Sequence, residues 1–482
     1  MSQLFFWLVV TLLALRPTQD PDFGWHLKVG EYILKTGQIP RHDLFSFSLP
    51  GYPYVYHSWL SDILIAKSFR LFGLWGPTLL FLLVFVASIF FIYQSLPKEL
   101  KENLIVRLTL LFFVPISAAL VGARIRVFSF LALSILYFFL KDFIEKKNKF
   151  IFFTPILFLI WANLHGGFIL GVIFLTFAIL ILFFQAVLGK SHLAPKDFLT
   201  LFSIWFFSLI TPLFNPYFIG VYRQAFQMGT NSLSYRINAD WQPILTSGPQ
   251  FFYGILIALI IFFFLSLIVF SKAKIDSFEK ILFLAFSLLT FISGRFLLVL
   301  LVILIPQAAN LLAGIRKNFN FGKVVATIPF RVSILVLIFT FLGVIVGNIL
   351  NLFAFYSSDK NYARLTKPPY PFAAVEFLKN QKASLKILND FNWGGYLIWQ
   401  MPERKVFSYG AMDNFFVNGH SFAQDYLEIV NLGPRWRMLL EDYKIEGVFV
   451  SKTWPVIQGL SILPDWRLVF EDEQSVIFFK VI

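Results

Sequence analysis

The sequence contains no cysteine in 482 residues. Disulfides, thiolate metal sites and thiol nucleophiles are excluded together. Charge is also scarce: Asp, Glu, Lys and Arg make up 14% of the chain against 58% hydrophobic residues, and the mean hydropathy is +0.73. A water-soluble fold could not bury that much apolar surface. A Gly-rich phosphate loop, an H-E-x-x-H pair and a G-x-S-x-G elbow are missing, as are internal repeats and low-complexity linkers. The stretch Met1 to Leu15 is apolar but lacks a basic n-region and a small-x-small cleavage site. It is predicted to be a retained first helix rather than a signal peptide.

What the chain does have is phenylalanine, 63 residues of it, concentrated in runs such as FFYGILIALIIFFFLSLIVF at 251–270. At 1.5 Å per residue such a run crosses a hydrocarbon core of roughly 30 Å. Membrane helices are predicted near 3–16, 75–95, 104–121, 126–141, 150–164, 167–188, 197–212, 250–271, 277–293, 295–313 and 331–353. One alternate set of loops (94–104, 141–150, 188–197, 271–280, 314–331) carries 15 Lys and Arg in 59 residues, while the other set carries 9 in 94. The positive-inside rule puts the first set in the cytoplasm of a cell (inner or plasma) membrane protein, with a cytoplasmic N-terminus. An odd number of helices leaves the tail outside.

The net charge of +14 divides unevenly: residues 1–353 hold 27 Lys and Arg against 13 Asp and Glu, and residues 354–482 hold 14 of each. The excess lies in membrane loops, where anionic lipid accounts for it without nucleic acid. The expected architecture is a polytopic α-helical domain over 1–353 and a small extracytoplasmic α/β domain over 354–482, the boundary marked by Pro368, Pro369 and Pro371. Within the first outer loop, 16–74, two amphipathic interfacial helices are predicted, one over Trp25 to Leu34 and one over 59–73 interrupted by Asp62, Lys67 and Arg70. Tail helices are expected at PFAAVEFLKN, FAQDYLEIV and RWRMLLEDYK, with strands near KILND, VFS, GVFVS, RLVFE and VIFFKV. The last two strands close as a hairpin across Asp472 to Gln474.

With this topology the unusual polar residues gather at the outer face: Asp20, Asp22, His26, His42, Asp43 and His57 in the first loop, then Arg124, Arg126, Asn163, His165, Asn215, Asp240 and Arg295. Ionisable groups at membrane depth need a partner or a purpose. In RPTQDPDFGWHL (16–27), Pro21 forces Asp20 into an extended conformation, so the two carboxylates stand roughly 6–7 Å apart along the chain. They either share a hard divalent ion such as Mg²⁺ or Mn²⁺, or cap the following helix. The three arginines either clamp a phosphate bidentately or anchor helix ends at the interface. His165, in WANLHGG, is a metal ligand, a substrate contact or a satisfied helix-end imidazole. His42 and Asp43 form a loop turn or a polar pair, and His57, Asn163, Asn215 and Asp240 are candidate substrate contacts with structural roles as the alternative. Tyr52, Tyr54, Tyr56 and Trp59 are expected at the headgroup belt, with stacking on sugar rings as the alternative; Asn392 to Tyr396 are expected to form a tight turn; Asp413 and His420 are expected on the loop surface, with acceptor contact as the alternative.

The order of first helix, acidic motif, interfacial helices and multi-helix bundle resembles the GT-C superfamily of membrane glycosyltransferases. More closely, it resembles a bacterial polytopic family with motifs similar to DPDFGWHLKVGEYILKTGQIPRHDLFSFS, HSWLSD, WANLHGG, TPLFNPY and NDFNWGGYLIW. The resemblance covers nearly the whole chain. It implies a polyprenyl-phosphate sugar donor, a divalent cation, and a first-loop carboxylate in catalysis, with Asp20 as general base and Asp22 as metal ligand or second acid; the spacing from Asp20 to His26 is similar to that in some members. The acceptor it implies is a glycan, lipid or protein. Two other classes compete: a lipid-linked sugar transporter or flippase, which should place polar groups at mid-membrane and show related halves, and a non-catalytic scaffold whose tail recruits partners.

Overall fold

The computed structural model describes residues 2–190, 193–230, 241–246, 251–270, 276–318, 328–417 and 419–481. Each predicted membrane segment is helical there: Gln3–Ala14, Trp75–Gln94, Leu104–Val121, Val127–Lys146, Thr154–Leu164, Phe168–Val187, Pro195–Ile210, Phe251–Phe270, Ser277–Ile292, Leu297–Asn318 and Ile328–Tyr356. Seven helices among the described residues are long and apolar enough to cross a bilayer by length and composition. The chain is a multi-pass membrane protein. It divides into two compact units: Met1–Pro17, Thr78–Val221 and Asn238–Leu352 in one, and Thr18–Pro77, Tyr222–Ile237 and Phe353–Ile482 in the other.

The first unit is a helix bundle in which buried polar side chains tie some of the helices together. The Lys141 ammonium reaches Glu279 Oε1 at 2.6 Å, and Gln307 Nε2 donates to the Glu279 carbonyl at 2.9 Å. These ties join three helices where an unpaired charge would be costly. Helix ends follow local chemistry: Asn103 Oδ1 accepts the Ile105 N–H at the start of Leu104–Val121, and Gly122, at φ +72°, ends it. A close approach fixes the pairing of Thr154–Leu164 with Phe168–Val187, since a Cβ on Gly171 would overlap the Trp161 ring.

The second unit unites the first loop with the tail. Two helices, Phe23–Thr36 and Trp59–Phe72, arise where interfacial helices were predicted, the former closed by left-handed Gly37. The tail has strands β1 (Ile387–Asn389), β2 (Phe416–Val417), β3 (His420–Ser421), β4 (Gly447–Ser451), β5 (Trp466–Glu471) and β6 (Ser475–Lys480). The main sheet runs β1-β4-β6-β5, with β1 parallel to β4 and the β5–β6 hairpin antiparallel, while β2 and β3 pair separately. The helices Phe372–Lys379, Phe422–Val430 and Trp436–Asp442 match their predicted segments.

Three local expectations change. The VFS segment is no strand of this sheet. Val406 instead exchanges backbone bonds with the first loop, to Phe45 O and from Phe47 N, each 3.0 Å. The NWGGY segment is not a tight turn but a short 3-10 turn, Phe391–Trp393, leading into the helix Gly394–Gln400. Tyr54 and Tyr56 are buried and meet edge to face at 4.6 Å, and Tyr52 stacks on Phe415 of the tail at 4.3 Å, so these rings build a core rather than a headgroup belt.

Candidate functional site

The acidic motif folds as a turn between Pro17 and the helix Phe23–Thr36. Asp20 is buried, and its Oδ1 accepts the Asp22 N–H at 3.1 Å, the closed Asx geometry that a short carboxylate followed by proline favours. Its backbone carbonyl accepts from Phe23 N at 3.0 Å and from the Tyr370 hydroxyl at 3.3 Å. Asp22 stands at the helix N-cap position without making a side-chain cap bond. Its Oδ1 takes the Trp25 indole N–H at 2.9 Å instead. Both carboxylates are thus oriented by donors on this segment.

One helical turn on, His26 Nδ1 donates to Asp62 Oδ1 at 2.6 Å, with both side chains almost wholly enclosed. Asp62 was expected on the polar side of an amphipathic helix, but it lies on the buried face with Ser61, Ile65 and Ala66. Burial pulls the imidazole down, and the Asp62 charge and hydrogen bond, with smaller help from Asp22 and Asp20, more than offset this and raise it above its ordinary range. Burial also raises the Asp62 carboxyl, against the attraction of His26. Sequence reading missed Asp62 as a partner because i,i+3 and i,i+4 periodicity cannot tell a charge facing water from one facing another helix.

The remaining first-loop candidates separate. Asp43 accepts from Ser46 N at 2.9 Å, from the Ser46 hydroxyl, from Phe45 N at 3.2 Å and from the Tyr409 hydroxyl at 2.7 Å, so its carboxylate ties the loop to the tail. His42, beside it, is exposed in a β-bridge to Pro53. His57 Nδ1 donates to Gln224 Oε1 at 2.8 Å. Asp413, expected at the surface, is buried, and with Asp22 and the neighbouring Tyr56 it helps burial push the Tyr54 phenol well above its usual range. His420 is half-buried against Asp425 at 3.0 Å.

In the helical unit Arg126 donates through Nε to Val121 O at 2.6 Å and through a terminal nitrogen to Leu120 O, capping the helix Leu104–Val121. The Arg124 side chain folds back over Gly122, with Nε 3.4 Å from the place a Cβ would occupy. The Arg295 guanidinium stacks 3.6 Å above the Trp241 ring centre. Asn215 donates to Asn163 Oδ1 at 3.1 Å and to Ala162 O at 3.0 Å, pinning the 3-10 turn Thr211–Phe214 to the end of Thr154–Leu164. His165 Nδ1 accepts the Gly167 N–H at 3.1 Å and the Ser129 hydroxyl at 2.7 Å, and Ser129 Oγ in turn accepts the Trp161 indole N–H at 2.7 Å. That chain fixes the neutral ring with its proton on Nε2. Asp240 lies outside the described residues.

No group of three or more His, Asp or Glu that could hold a metal occurs among the described residues. The donors offered by Asp20 and Asp22 are hard oxygens two residues apart, which fits an ion of the Mg²⁺ kind that keeps waters and takes further oxygens from a bound phosphate, not a closed protein cage.

No protein-family model matches the sequence, and no curated protein matches it. Solved structures do. The Archaeoglobus fulgidus oligosaccharyltransferase in its apo form superposes with a TM-score of 0.55 at 12% identity, covering 93% of this chain and 69% of that one. ArnT from Cupriavidus metallidurans bound to undecaprenyl phosphate gives 0.54 at 14% identity, over 98% of this chain and 97% of that one. The archaeal oligosaccharyltransferase AglB from Archaeoglobus fulgidus, in complex with an inhibitory peptide and a dolichol-phosphate, gives 0.51 at 11% identity, over 93% and 69%. At such identities the likeness is one of fold, and it covers nearly all of this chain: the protein shares the fold of these oligosaccharyltransferase and ArnT structures.

Proposed function

We propose that the protein is a membrane glycosyltransferase that moves a sugar from a polyprenyl-phosphate carrier to an acceptor outside the cytoplasm. The observation that carries this reading is the match to ArnT over 98% of the chain, in a structure that holds undecaprenyl phosphate. The oriented carboxylates of Asp20 and Asp22 support it from the chemistry. In this reading Asp20 takes the proton of the acceptor hydroxyl as that oxygen bonds to the sugar's anomeric carbon, while the bond from that carbon to the phosphate oxygen breaks. The Asx turn holds Asp20 in one rotamer for that task.

Arg124, Arg126 and Arg295 are the guanidinium groups proposed for a carrier phosphate, since such groups deliver charge-assisted bonds where negative charge accumulates. A divalent ion, when bound, would add charge neutralisation at the phosphate, with Asp20 and Asp22 as its protein ligands. His165, with Nδ1 accepting from Gly167 and Ser129 and its proton on Nε2, is proposed as a donor to substrate; as a metal ligand it would need the opposite tautomer, with Nδ1 donating to Ser129. His26, His42, Asp43, His57, Asn163, Asn215 and Asp240 are then supporting residues for substrate or for the loop itself. The excess of Lys and Arg in alternate loops supports a cell-membrane protein with its N-terminus in the cytoplasm and its tail outside.

The test is transfer from labelled undecaprenyl-phosphate sugars by purified protein with Mg²⁺ or Mn²⁺. Asp20→Asn should abolish transfer while leaving the thermal unfolding midpoint within a few degrees of wild type. Undiminished transfer by that variant would remove Asp20 from the mechanism.

A further inference from the structure

The tail's two glycine motifs end against the acidic turn. A Cβ on Gly395 would lie 3.2 Å from the Pro21 carbonyl carbon and nearer still to its oxygen, and a Cβ on Gly24 would lie 2.7 Å from the Gly395 carbonyl carbon. Backbone therefore meets backbone at a distance only two glycines allow. A Cβ on Gly410 would lie 2.8 Å from the Asp22 carboxyl carbon, inside contact with Oδ1, the same oxygen that accepts the Trp25 indole. Tyr370, stacked on Tyr396 at 4.3 Å, reaches the Asp20 carbonyl. Residues 20–24 are thus bounded by the tail on their backbone and on one carboxylate.

We propose that Gly410 and Gly395 are positioning residues: the C-terminal segment sets the conformation of the acidic turn, Gly410 by leaving the Asp22 carboxylate its place and Gly395 by seating the Pro21–Gly24 backbone. The functional consequence rests on the glycosyl-transfer reading; the contact itself does not. The two glycines differ in what a methyl would strike. At 395 it strikes main chain, which cannot move without the turn. At 410 it strikes the end of a short side chain, which can swing away from Trp25 with the fold intact. Gly410→Ala is therefore the diagnostic variant, because it displaces a carboxylate more than it unfolds a domain.

The experiment is a double-mutant cycle on the purified full-length protein, reading the unfolding midpoint of wild type, Gly410→Ala, Asp22→Ala and the double variant. Gly410→Ala should lower the midpoint by roughly 3 °C in the wild-type background and by nothing measurable once Asp22 is Ala, because the methyl then fills vacated space. Equal shifts in both backgrounds, or none in either, overturn the proposal. Kinetics with undecaprenyl-phosphate sugar and Mn²⁺ then ask for more than stability: Gly410→Ala should lose roughly 100-fold in kcat with donor KM unchanged, and a parallel loss in kcat and KM overturns the positioning role. Coupling between Gly410 and Asp22 in a protein with no transfer activity would sink the glycosyl-transfer reading and leave the tail's hold on the turn standing. Active wild type without coupling would do the reverse.

Discussion

The two units of this protein obey different rules about what may face outward and what must be paired. In the helical unit large apolar side chains such as Phe262 and Phe339 are 69% and 68% exposed, because lipid is their solvent and exposure carries no hydrophobic penalty. In the loop-and-tail unit a carboxylate, Asp62, is fully enclosed and paired with His26, and the buried Asp43 carboxylate is tied to Tyr409. The lesson is about information content. A lipid-facing position specifies little beyond being apolar, whereas an enclosed polar position specifies its partner as well.

The sharpest way to break that comparison is to remove one member of the enclosed pair. Asp62→Ala leaves His26 buried without its main counter-charge, and breaking such a pair typically costs about 3–5 kcal/mol. Chemical or thermal unfolding of the purified protein should show a loss of that order. A loss below about 1 kcal/mol would mean that the pair is solvated and the contrast between units is false.

Next in size is the tie between loop and tail. Tyr409→Phe removes one donor to the Asp43 carboxylate, a hydrogen bond to a charged group worth about 1.5–3 kcal/mol. The backbone bridge between Val406 and the loop remains in that variant. The tail alone should then become easier to cleave by protease before the helices unfold, and unchanged proteolysis would show that the bridge suffices without Tyr409.

A pH series sharpens the comparison further. His26 is raised above its ordinary value in the folded state, so the stability it contributes is fully present below about pH 6.5 and is lost as pH rises through its folded value. Asp62 is raised too, so its burial is least unfavourable once pH falls through its own folded value. The His26 shift sets the slope above neutrality: the unfolding midpoint should fall from pH 6 to pH 9, and His26→Asn should flatten that slope. An equal slope in the variant would assign the dependence to other groups.

The helical fold was legible because its signal is length and apolarity, and runs such as 104–121 and 251–270 need no partner to be recognised. The β5–β6 hairpin was legible because its turn residues, Asp472 to Gln474, separate two alternating runs. The acidic turn was legible as a motif, through Asp20, Pro21 and Asp22. Its setting was not. Val406 bonds to Phe45 and Tyr409 bonds to Asp43 across 366 positions, and no local periodicity encodes a pairing at that separation. Gly395 read as part of a tight turn and Gly410 carried no signal for the same reason, since what excludes a side chain there is Pro21 and Asp22. Burial was missed at Asp413 and Tyr54 because it comes from packing the first loop against the tail, residues more than 350 positions apart.

The smallest expected effect lies on the lipid-facing side of the comparison. Phe262 sits in the helix Phe251–Phe270 with most of its ring outside the protein, so Phe262→Leu removes no packing partner and opens no cavity. Both side chains are about equally soluble in hydrocarbon, and the helix keeps all its backbone bonds. In lipid nanodiscs the unfolding free energy should change by less than about 0.5 kcal/mol, the range of substitutions that touch nothing specific. A change near that of Asp62→Ala would mean that this face is covered by protein, a second copy or a partner, and not by lipid. Repeating the measurement at two protein-to-lipid ratios separates these cases, because a protein-covered face makes the effect depend on concentration and a lipid-covered one does not.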